Sequence, residues 1–118
     1  MKFAKFHSID HDRDFYLNPN YVCLLTPYKD DGGTTITSHY GEFHVDIDID
    51  IVAPSFEFMV KFTNLANDKV FYINPSYVAE IIPYDGKTKI LSHQGEFTIG
   101  MPIDEVAVYL NEGLSKTS

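Results

Sequence analysis

The residues best suited to chemistry occur twice. Ser38-His39-x-Gly41-Glu42 recurs as Ser92-His93-x-Gly95-Glu96. An imidazole and a carboxylate at this spacing can share a proton or hold a metal ion, and two such pairs brought together would offer four ligands. The same residues also describe a tight turn, in which glycine supplies a positive φ and His and Glu are its solvated flanks. A turn that the fold needs would be repeated along with the fold, which favours the turn reading. His39, Glu42, His93 and Glu96 are therefore carried forward as candidate binding residues only. No catalytic residue, metal or cofactor is assigned.

Other candidates give way to structural readings. Asn18-Pro19 and Asn74-Pro75 combine a capping side chain with a fixed φ, the composition of a turn. Six of the eight tyrosines fall in matched pairs, Tyr16/Tyr72, Tyr21/Tyr77 and Tyr28/Tyr84. Most suit a sheet, with an apolar body and a wet hydroxyl. Tyr21 and Tyr77 join the candidate binding set because tyrosine is enriched at protein interfaces. Cys23 sits between apolar neighbours with no cation nearby in sequence, as an inert packed thiol does. His7 and His11 have a spacing that would bind metal on a helix, but their context is a strand followed by a turn. No phosphate loop, dinucleotide fingerprint or nucleophile elbow is present.

The elements that must position these residues are written twice as well. FYLNPNYVCLLTPY at 15–28 matches FYINPSYVAEIIPY at 71–84, a shift of 56. SHYGEF at 38–43 matches SHQGEF at 92–97, a shift of 54, and the two-residue difference falls between KDDGG and DGK. A hairpin tip is where a repeated unit tolerates such a change. The sequence thus divides into a first unit, residues 1–53, and a second, residues 57–113, joined near Val52-Ala53-Pro54-Ser55. Each is too small to bury a sizeable core alone, so one fused domain over 1–118 is expected. Two units suit a pseudo-two-fold pair better than an open solenoid.

Within each unit the pattern is mainly β, a β-rich α+β fold with antiparallel strands. Strands are expected over Lys2 to Ile9 and Phe58 to Leu65, then at Phe15 to Leu17 and Phe71 to Ile73 up to the Asn-Pro turns. Further strands are expected over Tyr21 to Tyr28 and Tyr77 to Tyr84, and over Thr34 to His39 and Thr88 to His93. Asp85-Gly86 is a strong hairpin signal and Asp31-Gly32-Gly33 a looser one. Turns at Gly41 and Gly95 lead to Glu42-Phe43 and Glu96-Phe97. The units then diverge. Residues 102–112 read as a C-terminal helix with Gly113 closing it. Asp46 to Ile51 alternates strictly and reads as a strand that could turn helical near Ile49.

Composition bounds the function. Nine Lys plus Arg against 17 Asp plus Glu leave a charge of −8, against a nucleic-acid binder or an anionic-membrane docker. One cysteine excludes an intramolecular disulfide. No apolar run approaches a membrane span, and MKFAKFHSIDHDRD turns acidic too soon for a signal peptide, so a cytoplasmic location is expected.

The order of strand, Phe-Tyr-hydrophobic-Asn-Pro, strand, turn, Thr-x-Ile strand, Gly turn, strand and helix resembles the small bacterial flagellar and swarming-motility proteins of the FlbD/SwrD type. The residues that carry the resemblance are Phe71, Ile73, Asn74, Pro75, Thr88, Ile90 and Gly95, with the helix from Pro102. In the first unit they are Phe15, Leu17, Asn18, Pro19, Thr34, Ile36 and Gly41. The resemblance implies a small non-enzymatic accessory protein of a bacterial or phage type, and it carries over no catalytic residue.

The leading expectation is a protein-interaction module working through a strand edge, a tyrosine-bearing face or the C-terminal helix. An acidic decoy of a nucleic-acid-binding surface is a second class, and a metal or enzyme site at the paired His/Glu turns a third. With only one helix for two cores, the first unit's open face is expected to pair with a second chain as a homodimer. If 46–53 forms its own short helix instead, the monomer is closed.

Overall fold

Ala4, Phe6 and Ser8 alternate with Lys5 and His7, so one face of the first strand is apolar and the other charged. The computed structural model describes residues 2–29 and 32–116. β1 (Ala4–Ser8) pairs antiparallel with β2 (Arg13–Leu17), burying Phe6, Ser8 and Leu17. A 3-10 turn at Pro19–Tyr21 leads into β3 (Val22–Tyr28), β4 (Gly33–Ser38) and β5 (Gly41–Val45), an antiparallel meander. The second unit repeats the order: β6 (Val60–Asn64), β7 (Lys69–Ile73), a 3-10 turn at Pro75–Tyr77, β8 (Val78–Tyr84), β9 (Lys87–Ser92) and β10 (Gly95–Ile99). Each hairpin leans on its own meander through one backbone bond, Ile9 N–H to the His44 carbonyl and Leu65 N–H to the Thr98 carbonyl.

Local chemistry explains the turns. Asn18 and Asn74 cap their 3-10 turns by accepting from the N–H groups of Asn20 and Ser76, and Pro opens each turn. Asp85 and Gly86 both have positive φ, as the expected hairpin requires. Of the looser turn, Asp31 lies outside the described residues. Ser38 and Ser92 each accept from the residue two ahead and donate to the glycine carbonyl three ahead, which closes the Ser-His-x-Gly turns.

The segment after β5 departs from the strand expectation. Asp46 and Ile47 bend, and α1 (Ile49–Val52) follows, capped by the Asp48 carboxylate. Thr34 explains the bend, since its hydroxyl donates to the Ile47 carbonyl at 2.6 Å, as Thr88 does to Met101 at 2.8 Å. This bond diverts the chain from the sheet and starts a helix. Pro54 then prevents the helix from extending, and a 3-10 turn at Ala53–Ser55 leads onward. Ile49, Val52 and Ala53 cover the first core. The uncovered face on which the expected homodimer depended is thus closed.

α2 (Ile103–Leu114) covers the second core with Val106 and Leu110. Gly113 lies inside this helix rather than ending it. A Cβ there would stand 2.7 Å from the Phe58 carbonyl oxygen, so glycine permits a close approach.

The two units are not related as a two-fold pair would be. β3 adds β7 along its second edge, making one sheet in the order β5-β4-β3-β7-β6. Leu24 faces Ile73 and Leu25 faces Tyr72. A two-fold axis would also pair β8 with β2, yet among the described residues β8 lies at the edge of a three-stranded sheet and β2 pairs only with β1. The junction is head-to-tail. β3 serves both units, with Val22 and Leu25 in the first core and Cys23 and Leu24 in the second. A register shift between Val22 and Leu24 turns these side chains to opposite faces.

Candidate functional site

The junction gathers three of the six candidate binding residues. The 3-10 turn brings Tyr21 to the start of β3, where its carbonyl accepts from the His39 N–H at 2.9 Å. Tyr77 reaches across from the second unit, its hydroxyl donating to the Asn20 carbonyl at 2.8 Å. The His39 ring lies between them, 6.1 Å from Tyr21 and 5.8 Å from Tyr77 between centroids. Tyr40, at the tip of the β4–β5 turn, adds a fourth ring 5.9 Å from His39. Tyr40 is 86% exposed and Tyr21 43%. Burial raises the Tyr77 phenol above its ordinary range, with smaller contributions from Cys23 and Tyr21.

The four rings form a mostly exposed aromatic patch at the seam of the two units. Tyr40 was missed in the sequence because Gln94 stands at the matching place, and pairing was the guide. The adjacent Gly41, with φ near 150°, marks the turn that presents it.

The His/Glu pairs do not assemble. No hydrogen bond or ion pair joins His39 to Glu42 or His93 to Glu96 among the described residues. Glu42 instead lies 4.0 Å from the Nε2 of His44, two residues along the same strand face. His93 and Glu96 are exposed at the other end of the molecule's strand order, in the separate β8-β9-β10 sheet. No group of three or more His, Cys, Asp or Glu side chains has an arrangement that could hold a metal ion among the described residues.

The remaining histidines make local contacts in the first unit. His7 bridges Asp14 at 2.9 Å and Asp12 at 3.0 Å, which raises its pKa above 6.5. His7 and His11 thus part company at the turn, where the His11 N–H donates to Ser8. His44 stacks on Tyr28 at 4.0 Å and bonds Asp10 at 2.7 Å. Cys23 is buried, its Sγ 3.6 Å from the Tyr21 carbonyl, and burial pushes its thiol upward.

A cleft of about 480 Å³ lies between β6 and α2, lined by apolar side chains such as Phe62, Leu65, Ile99 and Tyr109 with Lys61 at its rim. Neither His39 nor His93 lines it. No helix is long and apolar enough to cross a membrane among the described residues. Compared with protein-family models, characterised proteins and solved structures, the chain gives no match.

Proposed function

We propose that the chain is a non-enzymatic protein-interaction module whose contact surface is the aromatic patch of Tyr21, His39, Tyr40 and Tyr77. The observation that supports this reading is the exposure of Tyr40, a large amphipathic ring that a β-turn holds beside Tyr21 and His39. Tyrosine offers a large contact area for little loss of side-chain freedom, and rings of this kind dominate binding energy at interfaces. The partner is a protein, and the setting is the cytoplasm, in an accessory role of the bacterial flagellar and swarming-motility kind. The acidic-decoy reading has less support, because Asp10, Asp12, Asp14 and Asp50 are already engaged by His44, His7 and Lys61. Their charge is partly spent inside the molecule.

The test is affinity purification from the native cell with three chains: wild type, the double variant His39→Ser/Tyr40→Ser, and Ile51→Ser as a control at an exposed site in α1. The double variant should lose roughly tenfold or more of a specifically retained protein, as removal of an interface anchor does. The control should retain it. Equal retention by wild type and the double variant would overturn the proposal.

A further inference from the structure

The junction inside the chain has two halves, and each half has a counterpart outside it, where Lys5 makes an exposed ion pair with Asp14 at 3.5 Å that docking would exchange. In the junction, Asn74 donates from its backbone to the Cys23 carbonyl and from Nδ2 to the Val22 carbonyl, at 2.9 and 2.8 Å. Tyr77 reaches the Asn20 carbonyl. The Asp50 carboxylate, at the start of α1, accepts from the Tyr72 hydroxyl at 2.7 Å and from Lys61 at 3.0 Å.

Every side chain in that set recurs. Lys5, Tyr16, Asn18 and Tyr21 stand at the places of Lys61, Tyr72, Asn74 and Tyr77, and Asp104 stands at the place of Asp50. Tyr16 is 62% exposed, and neither its hydroxyl nor the Asn18 Nδ2 has a protein acceptor among the described residues. Asp104 is exposed at the start of α2, and β8 has an open edge beside it. Phe3, 60% exposed, corresponds to Met59, which packs against the first core.

We propose that a second copy of this chain docks there, its β8 edge and Asp104 meeting β2, Lys5, Tyr16 and Asn18 in a repeat of the β3–β7 junction. The occupant is a second copy because its free end carries the groups that the internal junction uses, in the same order. The contact is head-to-tail, so it does not close at two chains but continues into longer assemblies. One substitution weakens it. Glu80 replaces Leu24, and a carboxylate opposite Leu17 must leave water where leucine gains by doing so. Self-association of the wild type is therefore weak and confined to high concentration.

Sedimentation over a wide concentration range tests this with charge-swapped chains. The wild type should show a weight-average mass that climbs beyond two chains at high concentration without a plateau. Glu80→Leu should shift this curve to roughly tenfold lower concentration. In the Glu80→Leu background, Asp104→Lys alone and Lys5→Asp alone should each suppress assembly, because like charges then face each other. An equal mixture of the two should restore it, since both junctions in the mixture pair opposite charges. Chains of 13.5 kDa throughout, for both wild type and Glu80→Leu, would overturn the proposal. So would assembly that is indifferent to the charge swap, whether a fixed dimer or amorphous aggregate.

Discussion

Leu24 and Ile73 stand directly opposite each other in the ladder that joins the two units, while their counterparts Glu80 and Leu17 are not paired within the chain. The difference between leucine and glutamate at matched places follows from that. Leu24 is buried beneath the second unit, and Glu80 faces solvent. The pair Cys23/Ala79 diverges in the same direction.

Leu24→Ala should therefore lower stability by about 2–4 kcal/mol, the cost of emptying a buried leucine site. Glu80→Ala should change it by no more than about 0.5 kcal/mol, as surface substitutions do. Denaturant titration of both variants checks this, and equal effects would mean that β3 is not the shared strand.

Asn74 and Asn18 offer a matched comparison. Both cap a 3-10 turn, but only Asn74 also fills the Val22 carbonyl in a buried place. Asn74→Ala should cost about 1–2 kcal/mol more than Asn18→Ala, the penalty of a buried acceptor left without its donor. Chemical denaturation of the two single variants measures the difference.

Much of this architecture was legible in the sequence. Alternation placed β1 and β6, the Asn-Pro pairs placed both 3-10 turns, and Asp85-Gly86 placed its hairpin. These signals are local, and local chemistry decides them. The Asp46 to Ile51 run misled because its period of two is also compatible with one helical turn. The deciding bond comes from Thr34, thirteen residues before Ile47. The symmetry of the junction was not legible for a similar reason. A repeat fixes the unit but not how units meet, and only the divergence of Leu24 from Glu80 and Cys23 from Ala79 betrayed the direction. Of the candidate site, the tyrosines were found through pairing. Tyr40 escaped because it is unpaired, and the His/Glu pairs flank the Ser-His-x-Gly turns with no bond between His39 and Glu42 or between His93 and Glu96 among the described residues.

The His7 cluster makes stability depend on pH in a defined direction. Hydrogen bonds donated by the His7 ring to Asp14 and Asp12 raise its pKa above 6.5, so its contribution is complete below that value and fades as pH rises through the raised pKa. The His7 bond, helped by Lys5, lowers Asp14 below 3.8, so its contribution is present above that value and fades on acidification. The tie is strongest between 3.8 and 6.5. The difference in unfolding midpoint between wild type and His7→Gln should be small, because the site is exposed, and larger at pH 5.5 than at pH 8. A difference that is the same at both would refute the bridge.

The head-to-tail junction underlies both the aromatic patch and the assembly proposal, and nuclear Overhauser contacts in dilute solution observe it most directly. The account predicts cross-peaks between backbone protons of Leu24 and Ile73, and between the Tyr77 ring and His39, with none between Glu80 and Leu17 at concentrations where the chain is monomeric. Cross-peaks for both strand pairs in the monomer would restore a two-fold arrangement, and absence of the Leu24–Ile73 contact would separate the units altogether. Either result would contradict the account.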